Sequence, residues 1–409
     1  MAEHKTTLAS VPGGVTAPKG FKAAAVRAGI KESRKRNDLV LLVSEAPAAV
    51  AGTFTSNRVK AACVKLCQRQ LIWGQGSAII INAGNANACT GDQGIADADR
   101  MADLTAQELG IAKNLVFVCS TGTIGIPLPI AKIEAAIPGL VAQLVPGGGT
   151  AAAEAILTTD TVAKEVSVTL TIAGAKVTIG GMAKGSGMIA PNMATMLGFL
   201  TTDAAVDARA LQTCLARAVD LSFNLITVDG DQSTNDTVLF LANGLARNEL
   251  LDERHAEWPA FCEAVQAVTH ALAMKIVRDG EGAGKFVTVR VTGAATEDDA
   301  RRAARAIAQS PLVKTAWNGG DPNWGRIMAA LGYSGAKLEE SLVDIAFDDL
   351  AAVSGGMAAP GVALKDLERV FAQKEFTVTA DLHLGKAEAC MYTCDFSEAY
   401  VRINAEYMT

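Results

Sequence analysis

Residues 184–200 read KGSGMIAPNMATMLGFL. A small, flexible KGSG loop comes first, Pro191-Asn192 then favours a turn, and the run after Thr195 has the apolar character of a buried strand. A threonine entering a strand behind a small-residue loop is ordinarily a packing residue. It is also well placed for chemistry, because loops at strand ends carry reactive groups more often than cores do. The flanking sequence decides between the two.

Strand-like and helix-like segments alternate on both sides. Residues 39–44, 78–82 and 115–119 are short apolar runs, as in buried strands. Residues 97–109 follow a helical rhythm: Ala98, Met101, Ala102, Thr105 and Leu109 share a face, and Gly110 stands where a C-cap glycine belongs. Val166, Val168, Leu170 and Ile172 alternate with polar residues, and Ala173-Gly174 turns the chain into Val177 and Ile179, which is a hairpin signal. Residues 207–221 form an amphipathic helix that Asp203 or Asp207 can cap. Val287, Val289 and Val291 mark a strand and residues 298–309 a helix, while 376–384 and 389–395 read as a final strand pair. PGGGT at 146–150 and SGGMAAPGV at 354–362 read as loops or boundaries. No fixed-period repeat is present. The sum is a mixed α/β (α+β) chain, with layered β-sheets covered by helices rather than a Rossmann fold or a barrel.

Composition narrows the function. Half of the 409 residues are hydrophobic, enough for a large core in two or three lobes. A net charge of -6 gives no general attraction for nucleic acid. KESRKR at 31–36 reads as a solvated loop. The N-terminal segment lacks a signal-peptide core and is not Arg-rich, and no stretch approaches a membrane span of uninterrupted apolar residues. A soluble cytoplasmic protein with no membrane association is expected. The eight cysteines are scattered, so reduced thiols are expected. Cys63/Cys67 and Cys390/Cys394 are C-x3-C pairs without a neighbouring His cluster, so no metal site is expected.

Four further segments place polar residues against apolar ones. NAGNANACTGDQG at 82–94 is either an elaborate turn or the wall of a site. STGTIGIP at 120–127 offers a backbone N–H and a hydroxyl at one point, which suits an oxyanion and equally suits a turn. TVDGDQSTNDT at 227–237 begins like a calcium loop at Asp229, Asp231 and Ser233 but lacks that loop's later Gly and Glu, so a hydrogen-bonded loop is expected. GEGAGK at 280–285 fails the phosphate-loop pattern in spacing, in the missing hydroxyl after Lys285, and in the strand that follows.

The chain has only four histidines, and none flanks these segments, so a Ser-His-Asp arrangement has little raw material. A threonine can dispense with histidine when its own α-amine is free to take the proton. That amine has a pKa of about 7.7–8.0, so a useful fraction is neutral at physiological pH. An internal threonine gains a free amine only if the chain is cut before it. Attack of the Thr195 hydroxyl on a strained Ala194–Thr195 bond, an N-to-O acyl shift and hydrolysis of the ester would make that cut.

KGSGMIAPNMATML resembles the autocleavage motif of the ornithine acetyltransferase (glutamate N-acetyltransferase, ArgJ) family. GFKAAAVRAGIK at 20–31, NAGNANACTGDQG, STGTIGIPLP at 120–129, TTDT at 158–161, TVDGDQSTNDT, GEGAGK and GGDPNWGRI at 319–327 agree with it in order along the chain. The resemblance runs from about residue 12 to the last residue. It implies an ArgJ/DmpA-like N-terminal-nucleophile fold with a smaller C-terminal α/β lobe. It implies self-cleavage between Ala194 and Thr195 into an α chain (1–194) and a β chain (195–409), intertwined in one α/β assembly and paired as an α2β2 heterotetramer. Thr195 is then the nucleophile that carries acetyl from N-acetylornithine to glutamate in arginine biosynthesis, with Thr121 and Gly122 as the oxyanion hole. Thr158, Lys184, Thr195, Glu281, Asn404 and Thr409 match the family's substrate-binding positions. No cofactor or metal is implied; acetyl-CoA is a candidate co-substrate, since some members use it to acetylate glutamate directly. Lys184 suits a substrate α-carboxylate, and Glu281 suits ornithine's amine.

Three positions depart from the family pattern: Ala83 for Ser, Gly284 for the Thr of GEGATK, and Asn318 before GGDPNWGR, a site usually aromatic or small. Gly284 lies nearest the expected site. Competing readings are an N-terminal-nucleophile amidase that passes the acyl group to water, a nucleotide-binding protein, and a non-catalytic binding protein. The TTDT and GEGAGK segments favour the transferase.

Overall fold

A computed structural model describes residues 8–31, 36–190 and 196–406. These residues divide into two compact units: one runs to Asn224 and resumes over Asp231–Ile276, and a smaller one comprises Leu225–Gly230 and the chain from Val277 onward.

The first unit is built on β1 (Ala9–Ser10), β2 (Phe21–Val26), β3 (Leu39–Phe54), β4 (Gln75–Asn85), β5 (Val116–Thr123), β6 (Lys164–Ile172), β7 (Ala175–Lys184), β8 (Leu197–Thr202) and β9 (Thr237–Ala242). They form a nine-stranded mixed sheet in the order β1-β6-β7-β8-β9-β3-β4-β5, with β2 also paired to β3. The long β3 changes partner midway, pairing β2 through Leu39–Ser44 and β9 through Ala49–Phe54. Its register against β4 slips between Val43 and Ala48, a gap that contains Pro47, which has no N–H to offer a ladder.

Around the sheet lie α1 (Ala62–Leu71), α2 (Gly91–Leu109), α3 (Ile130–Ala142), α4 (Gly149–Ala155), α5 (Ala208–Asp220) and α6 (Trp258–Arg278). Leu39, Leu41, Ile80, Val116 and Val118 face α1, α2 and α3. Val40, Leu42, Ile79, Ile81 and Phe117 face the other way, towards α4. With both faces covered these strands read as unbroken apolar runs rather than as alternation. α6 is the one helix among the described residues apolar and long enough to cross a membrane by composition. Its Phe261, Val265, Val268, Leu272 and Ile276 are buried within the protein. At Gly181 a Cβ would meet Leu200, Leu272 and Val268 at 2.9–3.0 Å, so glycine lets α6 approach β7 closely.

The second unit holds β10 (Phe286–Ala294), α7 (Glu297–Gln309), α8 (Pro311–Gly319), α9 (Trp324–Tyr333), β11 (Asp344–Phe347), β12 (Leu350–Ser354), β13 (Met357–Ala358), α10 (Leu364–Phe371), β14 (Glu375–Asp381), β15 (Ala387–Cys394) and α11 (Glu398–Glu406). The sheet order is β13-β12-β11-β14-β10-β15. Val287, Val289 and Val291 alternate onto the face where Ala303, Ile307, Val313, Trp317 and Leu331 pack.

The α/β reading and the smaller C-terminal lobe hold, as do the β6–β7 hairpin across Ala173-Gly174 and the Gly110 cap of α2, at φ 66°. Asp207, not Asp203, caps α5, accepting from Arg209 N and Ala210 N. Other expectations change. β14 and β15 are not paired with each other; β10 lies between them, parallel to the first and antiparallel to the second. β4 runs on to Asn85 and β5 to Thr123, so the segments at 82 and 120 begin inside strands. Neither glycine-rich break is a boundary. Residues 149–150 open α4, Ser354 and Met357 pair across the β12–β13 turn, and the compact units divide at 224/225, 230/231 and 276/277 instead. The expected division into chains 1–194 and 195–409 concerns a peptide bond outside the described residues.

Candidate active site

In the first unit, the two ends of the β6–β7 hairpin meet the TTDT segment. Asp160 is buried and accepts from Lys164 Nζ at 2.7 Å and Gly185 N at 2.7 Å, and its other oxygen accepts from Thr158 N at 3.2 Å. Lys184, also buried, donates to Thr158 Oγ1 at 2.8 Å and stands 3.8 Å from Asp160. Burial opposes the Asp160 charge, but the Lys184 and Lys164 ammoniums outweigh it and hold the carboxyl at about 2. The KGSG segment is therefore pinned through Gly185 rather than flexible.

Lys31 adds to this charge. It opens the run 31–36, of which residues 32–35 lie outside the described residues, and is itself half-buried: its Nζ donates to Ala155 O at 2.7 Å, and burial pulls it down to about 8, with Asp38 and Lys184 among the charges it feels. Its backbone is fixed by buried Asp38, whose carboxylate accepts from the N–H groups of Ala28, Gly29, Ile30 and Lys31. Lys164 and Lys184 thus flank buried Asp160, with Lys31 and its counter-charge Asp38 farther off, and a cation so placed suits a carboxylate.

Thr121 and Gly122 lie on β5 where its ladder to β4 becomes irregular. Gly122 has φ 132°, and a Cβ there would fall 2.3 Å from the Gly84 carbonyl carbon. Only glycine fits this close crossing of two backbones. The segment 227–237 delivers Asn235 and Asp236 into the interior. Asn235 Nδ2 donates to Ser120 O at 2.8 Å and Ala86 O at 2.7 Å. Asp236 Oδ1 accepts from Met196 N at 3.1 Å. Burial pushes the Asp236 carboxyl well above the usual range.

In the second unit, GEGAGK joins α6 to β10. Glu281 is buried and accepts from Asn404 Nδ2 on α11 at 2.7 Å. Gly282, at φ 67°, brings the loop so close to α11 that a Cβ would lie 2.5 Å from Tyr400 N. Asp395 accepts from Gly284 N and Lys285 N at 2.8 Å each, and from Asn318 Nδ2 at 2.7 Å.

The sequence model of the ArgJ family matches residues 22–409. The chain belongs to the ArgJ family. It is 54% identical over 400 residues to the arginine biosynthesis bifunctional protein ArgJ of Symbiobacterium thermophilum, covering 97% of this chain and 99% of that one. To the protein of the same name from Geobacter sulfurreducens it is 51% identical, over 96% of this chain and 99% of the other. Among solved structures it is similar to an argJ protein of Bacillus halodurans, at 41% identity over 51% of this chain and 97% of that chain, with a TM-score of 0.49.

Of the residues singled out from the sequence, this ArgJ-family chain brings Thr158 together with Lys184, and Glu281 together with Asn404. Thr121 and Gly122 sit at one strand end. Ala194, Thr195 and Thr409 lie outside the described residues. The sequence reading missed Asp160, Lys164, Lys31, Asn235 and Asp236 as members of polar clusters. TTDT did offer a hint, since Asp160 follows Thr158 by two and precedes Lys164 by four. The loop expected at 227–237 is confirmed as hydrogen-bonded, through Thr55, Ser233 and Asn235.

Proposed function

We propose that this chain cuts itself between Ala194 and Thr195 and then moves an acetyl group from N-acetylornithine to glutamate, as a step of arginine biosynthesis. Two relatives above 50% identity carry arginine biosynthesis in their names, which supports the pathway. The observation that carries the site is the buried Lys184 ammonium, set 2.8 Å from the Thr158 hydroxyl and backed by Asp160. Both amino-acid substrates bear an α-carboxylate, and such a cation binds one with a charge-assisted hydrogen bond.

In this reading the Thr195 α-amine takes the hydroxyl proton as Oγ bonds to the acetyl carbon of N-acetylornithine. The tetrahedral oxyanion is held by Thr121 and Gly122. The carbon–nitrogen bond then breaks, the proton passes to the departing ornithine amine, and acetyl-Thr195 remains. Glutamate's amine attacks that ester and leaves as N-acetylglutamate, restoring the hydroxyl. Glu281, held by Asn404, pairs with ornithine's side-chain amine, and Thr409 completes the substrate contacts. No cofactor or metal takes part. The α and β chains stay together as a cytoplasmic α2β2 heterotetramer. The word bifunctional in the relatives' names favours acetyl-CoA as a second acetyl donor.

Purified protein on a denaturing gel should show two fragments, one beginning Thr-Met-Leu-Gly, and should make acetylglutamate from N-acetylornithine faster than free acetate. Active protein that migrates as one full-length band would overturn the cleavage, and acetate as the main product would favour an amidase.

A further inference from the structure

Two neighbouring residues of the first unit reach both sides of the proposed chemistry. Asn235 holds the carbonyl of Ser120, the residue before Thr121, at 2.8 Å. Asp236 holds the N–H of Met196, the residue covalently joined to Thr195, at 3.1 Å. Both are buried, at 4% and 0% exposure. The backbone beyond them is fixed as well: Thr237 N donates to Met196 O at 3.3 Å, and Leu197 pairs with Thr237 in the β8–β9 ladder. Thr55 N donates to Asp236 O at 3.0 Å, and Thr234 Oγ1 donates to Asn235 Oδ1 at 2.6 Å. Asn235 is thus held at both ends of its amide, and Asp236 at its backbone and through Oδ1.

We propose that Asn235 and Asp236 are positioning residues that together set the separation between the oxyanion donors at Thr121–Gly122 and Met196 N, in the residue that follows the proposed nucleophile in the chain. The inference rests on the acyl-transfer reading above. A dipeptide spans a fixed distance, so anchoring one residue to the oxyanion strand and the next to the chain behind the nucleophile gauges one against the other. Misplacing reacting groups by about 1 Å can cost on the order of 100-fold in rate. Burial shifts the Asp236 carboxyl towards its protonated form, and what the geometry assigns to it is the role of acceptor for the Met196 N–H. Asparagine keeps that acceptor; alanine does not.

The test compares full-length wild type, Asp236→Ala, Asp236→Asn and Asn235→Ala. Each is scored for cleavage rate, kcat and KM with N-acetylornithine and glutamate, the pH profile of kcat, and thermal midpoint. Asp236→Ala and Asn235→Ala should slow both cleavage and kcat by roughly 10–100-fold with KM nearly unchanged. Asp236→Asn should restore cleavage and kcat to within about threefold, with the wild-type pH profile. The proposal is overturned if the alanine variants cut and turn over at wild-type rates, if they raise KM instead of lowering kcat, or if Asp236→Asn is as slow as Asp236→Ala while folded. Should Asp236→Ala not fold, Asn235→Ala and Asp236→Asn decide the matter by the same criteria. Wild type that neither exposes Thr195 nor transfers acetyl defeats the acyl-transfer reading itself, an outcome distinct from these.

Discussion

Lys184 stands 3.8 Å from Asp160 yet gives its 2.8 Å hydrogen bond to the Thr158 hydroxyl, leaving the 2.7 Å contact with that carboxylate to Lys164. One negative charge is thus shared between two buried ammoniums. Of the two, Lys184 is the lysine proposed above to bind substrate. Replacing Lys184 with Met should raise KM for glutamate about 10–100-fold, the worth of a charge-assisted hydrogen bond. A KM left unchanged in the folded variant would remove Lys184 from substrate binding.

Asp160→Asn leaves Lys164 and Lys184 buried without their counter-charge. Breaking a buried pair in this way costs about 3–5 kcal/mol, to be read from the denaturant midpoint. The acid limb should change too. The folded carboxyl sits at about 2, below the ~3.9 of an unfolded Asp, so its stabilisation is complete above the latter value and fades as pH falls through 2. In Asp160→Asn this part of the acid dependence should vanish.

Gly122→Ala should destabilise the fold by at least ~2 kcal/mol, because alanine at φ 132° is strained and its methyl meets the Gly84 backbone at 2.3 Å. Gly139→Ala is the control. It lies in α3 with nothing within 4 Å of its added methyl, so it should gain up to ~1 kcal/mol. Equal effects at the two sites would contradict the close β4–β5 crossing.

The departures at Gly284 and Asn318 converge on Asp395. Asn318 Nδ2 donates to Asp395 Oδ2 at 2.7 Å, and a Cβ at 284 would lie 3.2 Å from the same oxygen. Asn318→Ala should cost about 1–2 kcal/mol, and Gly284→Thr in that background should recover much of it by supplying a hydroxyl. A double-mutant cycle with no coupling would separate the two positions.

His383 Nε2 lies 2.8 Å from Asp344 Oδ2, and that bond raises the imidazole above its ordinary value. Its contribution to stability is present below the unfolded pKa of ~6.5 and is lost as pH rises through the folded one. The pair is half exposed, so the effect on stability is small. NMR titration should show the raised value, and Asp344→Asn should bring it back down.

What could be read from the sequence was local. The β6–β7 hairpin announces itself through alternation and Ala173-Gly174, and α2 through its apolar face and Gly110. What could not be read is non-local. Nothing in residues 376–395 says that β10 inserts between the last two strands. Asn235 and Asp236 look like loop residues because they are polar, and only the sheet that closes over them makes them interior. Lys164 and Asp160 are neighbours by spacing, but Lys184 joins them only because the hairpin folds back. Of the two readings the glycine-rich breaks allowed, loop or boundary, only the first holds, because glycine there serves turns and a helix start.

β7 ends at Lys184 and β8 begins at Leu197, and these two residues face each other in one ladder. Scission of the connecting segment would therefore leave a seam rather than two bodies, with six backbone pairings stitching it shut. Such a nick would escape gel filtration, and halves expressed from separate genes would each expose bare strand edges. Only together would they be soluble.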